Sequence, residues 1–164
     1  MAANGLIYTA SFQGVTVTNA IQDIFEFIGS ANCSTVFHSF RIEFTPTVVS
    51  GVAQDVRTNV QIVRRSTTGS GGVAVTPKPE NPRNTVAALT TVNRTVVTTQ
   101  GTNQDILYGG NPSVIVPWER IYTPDQRIVL PASGGSSQNR LCVFLAAAPG
   151  ASFVTSGEVY FEEI

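Results

Sequence analysis

The sequence has one histidine, one lysine, one methionine and two cysteines. A Ser-His-Asp triad would have to be built on His38. A zinc site needs three or four Cys, His or carboxylate ligands at usable spacing. Cys33, His38 and Cys142 could meet only through the tertiary fold, and no CxxC or HxxxH spacing exists. No GxGxxG or GxxxxGK[ST] phosphate loop occurs, because the glycine-rich run 69–72 is not followed by a lysine-bearing helix. No acidic calcium loop is present. Charged residues make up only 13% of the chain, and ten basic against eleven acidic side chains leave a net charge of −1. That balance argues against a basic nucleic-acid binder and against charge-driven disorder.

Two pairs of carboxylates could serve as an acid and base. Glu162 and Glu163 are adjacent, so a strand would turn them to opposite faces. Glu26 and Glu43 sit among phenylalanines and isoleucines and read as outward-facing charges. The start of the chain lacks a basic segment followed by an apolar run, and no stretch approaches the ~20 apolar residues of a membrane span. The expectation is a chain made in a reducing cytoplasm with free, buried Cys33 and Cys142, although two cysteines allow one disulfide. Catalysis, cofactor, metal, nucleic acid and membrane are all absent from this reading.

What the sequence has in quantity is β-branched residues: 21 Val, 19 Thr and 11 Ile, or 51 of 164, against six Leu. These side chains suit a pleated, half-buried surface better than a helix. Fourteen Gly and nine Pro supply turns. Strand patterns cover 6–11 and 15–18, divided by a bulge or turn at Gln13-Gly14, then 21–28 and 35–44. In 35–44, Val36, His38, Phe40, Ile42 and Phe44 share one parity, which makes His38 a core or interface residue. Further patterns cover 52–65, 90–92, 95–99, 106–108, 113–122 and 127–130, with a possible helical turn at 86–89. A final hairpin joins 140–147 to 152–162. Eight to ten short strands with regular turn signals make one domain, 1–164, an all-β antiparallel sandwich or barrel. Residues 66–84, with Gly69, Gly71, Pro77 and Pro79, read as an extended Gly/Pro-rich loop or arm that could contact a partner.

One strand has no polar face. In 141–147 both parities are apolar, whereas an antiparallel strand normally shows one face to water. The expected cover is a second copy of the chain, which places Leu141, Val143, Leu145 and His38 in a subunit interface. An intrachain loop such as 66–84 is the other possible cover.

Three stretches carry a resemblance. They are Tyr8-Thr9-Ala10-Ser11-Phe12 with Ile21-Gln22-Asp23-Ile24-Phe25-Glu26; Ile62 to Gly72 with Thr76-Pro77-Lys78-Pro79; and Trp118-Glu119-Arg120, Tyr122-Thr123-Pro124 and Ile128-Val129-Leu130, ending in Ser156 to Glu163. In this order, over most of the chain, they resemble the cement or decoration proteins of tailed-bacteriophage capsids. The resemblance implies a jelly-roll sandwich that forms a homotrimer on the outside of the phage head. There it would clamp major capsid subunits, as part of a virion assembled in the bacterial cytoplasm. No contact residue transfers with it. A carbohydrate-binding domain of a head or tail fibre is the alternative, with Trp118, Glu119, Arg120 and Tyr122 as its cluster.

Overall fold

The computed structural model describes residues 5–18, 20–45, 48–49, 52–53, 57–96, 99–113, 115–132 and 139–164. The strands are β1 (Leu6–Val17), β2 (Gln22–Ile28), β3 (Thr35–Thr45), β4 (Val48–Val49), β5 (Val52–Ala53), β6 (Val60–Arg65) and β7 (Val73–Val75). They continue with β8 (Lys78–Pro79), β9 (Thr91–Val96), β10 (Asn103–Gly110), β11 (Trp118–Ile121), β12 (Ile128–Leu130), β13 (Arg140–Leu145) and β14 (Phe153–Glu163). A single 3-10 turn, Pro124–Gln126, separates β11 from β12. Among the described residues no helix is long and apolar enough to cross a membrane.

Two antiparallel sheets pack face to face. The first runs β11–β3–β14–β1–β8, with β12 also on β3; the second runs β10–β6–β13–β2–β9–β7. Counting β11 and β12 as one interrupted strand, the principal strands fall in two sets of four, β1–β14–β3–β11/β12 and β2–β13–β6–β10. Successive principal strands mostly change sheet, which is the jelly-roll winding of an all-β sandwich. The additional strands β7, β8 and β9 all come from the long connection between β6 and β10. They extend both sheets on the β1–β2 side. The segment expected as an arm is therefore folded onto its own chain: β7 pairs with β9, and Tyr8 and Thr9 of β1 face Pro79 and Lys78 of β8.

The core between the sheets is aromatic. Phe27 of β2 stacks on Phe25 at 5.4 Å and meets Phe37, Phe40 and Phe161 of the first sheet edge-on, at 5.0, 6.0 and 6.4 Å between centroids. Such offset and edge-to-face pairs add to the burial of large rings. Gly157 in mid-β14 makes room for them. A Cβ there would stand 2.6 Å from Phe25 and 2.7 Å from Phe12. Gly157→Ala is expected to overpack the core and cost about 1–3 kcal/mol, read as a lowered denaturation midpoint. An unchanged midpoint would refute this account of the glycine.

Several sequence expectations are corrected. The anticipated hairpin of the last two strands does not form, because β13 lies in the second sheet and β14 in the first. Each is apolar enough to occupy a central position in its own sheet. The long strand over 52–65 is interrupted, since Thr58 leaves the ladder to donate its N–H to Pro112 O at 3.1 Å; Val56 lies outside the described residues. Residues 86–89 form no helical turn, and Glu163 instead accepts the Leu89 and Thr90 N–H groups at 2.9 and 2.7 Å. Only Trp118–Ile121 is strand within 113–122, with Val114 outside the described residues. The break at Gln13-Gly14 is a bulge inside one strand, with Gly14 at φ 64°.

Candidate functional site

The residues expected at a subunit interface separate. Leu141, Val143 and Leu145 have no exposed area, because they pack into the core of their own chain. A side chain with no exposed area cannot touch a second copy, so these three do not form an interface. His38 does not share a face with Phe40 and Ile42. The β3–β14 register shifts opposite Tyr160 and Phe161, the parity resets, and Phe37 takes the inward place. His38 turns to the outer face, about a quarter exposed, with Nε2 3.3 Å from Glu162 Oε2.

The other face of β13, Cys142 and Phe144, is also covered from within the chain. Its neighbours are Asp23, Glu26 and Arg65, all fully buried. Arg65 Nη1 donates to Asp23 Oδ2 at 2.5 Å and Nε to Asn103 Oδ1 at 2.9 Å, while the guanidinium lies 5.1 Å over the Phe144 ring. Gly69 N–H donates to Glu26 Oε1 at 2.6 Å, so Glu26 is not an outward-facing charge. Burial, only partly offset by Arg65, pushes the Asp23 pKa up to about 6. Glu43 lies on the first sheet and pairs with Arg41, so no Glu26–Glu43 acid–base pair forms.

Asp23, Glu26 and Cys142 bring one donor atom each within 4.8 Å of one another. Arg65 already holds Asp23, Gly69 holds Glu26, and burial raises the Cys142 pKa well above its usual value. The arrangement is an internal ion pair with a neutral thiol, and its positive charge competes with any cation. Neither Cys33 nor His38 belongs to a metal-ligand group among the described residues. Cys33 and Cys142 are both free thiols, Cys33 only partly buried.

Of the residues expected in a contacting arm, Gly69 is half-buried over Glu26, and Pro77 and Pro79 are half-buried near the β8 edge. Gly71 is exposed at φ 82°.

The two sides of the sandwich differ. The β1–β2 side carries the additional strands, whereas on the opposite side, among the described residues, β10 ends one sheet and β11 and β12 end the other. Free strand edges expose unpaired N–H and C=O groups. Aliphatic side chains flank this open side, with Ile106 of β10 64% exposed and Ile121 of β11 68% exposed. Between the two edges lies an open cleft lined by Arg64, Arg120, Arg127, Tyr108, Tyr122 and Leu107, among others.

Strand parity explains how arginines reach the cleft. Arg120 pairs with Phe40, and Arg64 with Leu141, so both occupy inward positions at the rim of the core. Arg120 lies 4.9 Å over Tyr108 and 5.4 Å from Tyr122, and Arg64 Nη2 donates to Val129 O at 3.4 Å. The sequence places Arg120 in the candidate sugar cluster, whereas the structure turns it inward at the rim of the core. The alternation Trp118, Arg120, Tyr122 was the available signal. Trp118 and Tyr122 are only 6% and 8% exposed, so they offer no aromatic platform to a sugar.

No family model matches the chain, and no curated protein matches it. Among solved structures, one titled as infectious bursal disease virus, Gx strain, is similar at 18% identity with a TM-score of 0.14. The match covers 99% of this chain but only 40% of that one, and at that score it carries no argument about fold or function.

Proposed function

We propose that this protein is a structural virion protein, a cement or decoration protein that binds the outside of a phage head. It acts there as a homotrimer and stabilises contacts between major capsid subunits. The observation that carries the reading is the asymmetry of the sandwich. One side is closed by strands from the β6–β10 connection, and among the described residues the other presents free strand edges between exposed isoleucines. Edges in that state are suited to partner contact by strand addition and apolar burial. The resemblance to cement proteins supplies the identity of the partner. Many copies on a symmetric shell would then sum modest contacts into firm attachment.

The test places glutamate on the open side, as Ile106→Glu with Ile121→Glu. Occupancy on assembled shells should fall about tenfold or more, the change that about 1.4 kcal/mol produces. Both positions are exposed, so the isolated chain should keep its melting temperature. Light scattering should give a native mass near three times 17.4 kDa for the unaltered protein. Unchanged shell occupancy in the double variant would overturn the open side as the attachment surface.

A further inference from the structure

We infer that the cleft between β10 and β11–β12 binds carboxylates, and that its occupant is an acidic, extended segment of a protein partner. The inference rests on the assembly reading, since it names the chemistry by which the open side would engage a shell subunit.

Charges that face a protein core are normally paired. Arg64 and Arg120 face inward, and Arg127 joins them at the cleft, yet none of the three makes an ion pair among the described residues. Asp105 stands opposite Arg64 in the β10–β6 register without forming one. The Nε atoms of Arg120 and Arg127 are shielded from water and have no hydrogen-bond partner. The same holds for the hydroxyl of Tyr122, a residue more than nine-tenths buried. Burial raises the Tyr122 pKa while the neighbouring Arg120 opposes the rise, and the phenol keeps its proton. The cleft thus holds three guanidinium groups beside two phenols and the Gln126 amide, and among the described residues no carboxylate is paired with the guanidiniums.

A guanidinium fork matches a carboxylate through two parallel N–H···O bonds. A free inorganic anion would use those forks and leave the strand edges unused. An extended chain uses both, because alternate side chains point to opposite sides. Glutamates at every second position would enter the cleft, and the residues between them would meet aliphatic groups such as Ile106 and Leu107. The competing explanation is structural: the arginines only stack on Tyr108 and Tyr122 to close the rim of the core.

The experiment follows the fluorescence of the single tryptophan. Trp118 lies 5.8 Å from Tyr108, beside the cleft. The full-length chain is titrated with a peptide of alternating glutamate and valine, with its glutamine counterpart, and with inorganic phosphate at matched ionic strength. The glutamate peptide should saturate the signal, and the other two should not. Arg127→Gln should weaken the glutamate peptide about tenfold, a loss of about 1.4 kcal/mol, with an unchanged melting temperature. Among the described residues Arg127 makes no ring contact, so it carries the test if Arg120→Gln disturbs the fold. Equal binding of both peptides overturns the proposal. A saturating response to phosphate alone overturns it in favour of a small-anion site, and unaltered affinity in Arg127→Gln overturns it in favour of a structural role. Shell occupancy is measured separately. If Arg127→Gln loses the peptide and keeps the shell, the cleft is not the shell contact and the cement reading stands. If the unaltered protein binds the peptide and no shell, the cement reading falls and the cleft remains.

Discussion

Replacing Arg65 with methionine is expected to cost about 3–5 kcal/mol at neutral pH, because it leaves a fully buried carboxylate without its counter-charge. Arg65 and Asp23 each have no exposed area, and they join β6 to β2 across β13 on the outer face of the second sheet. Methionine retains part of the contact with Phe144 but none of the hydrogen bonds to Asp23 and Asn103. The double replacement, Arg65→Met with Asp23→Leu, should recover most of the loss, since removing both charges also removes their desolvation cost. Urea denaturation of the three proteins measures this. A single-variant loss below about 1 kcal/mol would contradict the role given to the pair.

The same pair sets a pH dependence. The Asp23 pKa is pushed from 3.8 to about 6, so the native state holds this proton more tightly than the unfolded chain does. The contribution of this site to stability therefore grows as pH falls through about 6, and it levels off below 3.8. That sign is opposite to ordinary acid destabilisation by salt-bridged carboxylates. The stability difference between the unaltered protein and the double variant isolates the effect, because the double variant lacks the titrating group. A difference that stays flat between neutral pH and pH 4 would be inconsistent with the burial penalty at Asp23. Arg65→Met should likewise regain part of its loss on acidification, as Asp23 takes up a proton.

The second large effect is expected at Phe27. Phe27→Ala should cost about 3–5 kcal/mol, a large share of the 5–15 kcal/mol that holds a typical domain together. The ring belongs to β2 but packs against Phe37 and Phe40 of β3 and Phe161 of β14, so its loss opens a cavity between the sheets. Among the described residues Phe153 has only Phe44 as an aromatic neighbour. Phe153→Ala should therefore cost less, by denaturation midpoints at equal m-value. Equal losses at the two positions would mean that the aromatic cluster adds nothing beyond burial.

The candidate site was far less legible than the fold. Alternation identified β3, but it placed His38 with Phe40 because a bulge leaves no mark in a list of residue types. Arg120 lay in plain view between Trp118 and Tyr122. Its meaning depended on which face of β11 turns to the core, and that is set by register with a strand some eighty residues away. The doubly apolar β13 needs two covers, and the expected second copy is not the outer one: the chain covers that face itself with the buried Arg65–Asp23 pair, 42 residues apart, and Gly69 of the 66–84 segment.

The sequence by itself determined the all-β class, the positions of most strands and a break in the strand pattern at Gln13-Gly14. These are local matters of β-branched content, a two-residue period and the backbone freedom of glycine. Only the tertiary structure decided that β13 and β14 part into different sheets, that Asp23, Glu26 and Arg65 are buried together, and that one side of the sandwich is closed while the other stays open. Those outcomes depend on pairing between distant strands. Several apolar strands compete there for the same central places, and only the packing of the whole core selects among them.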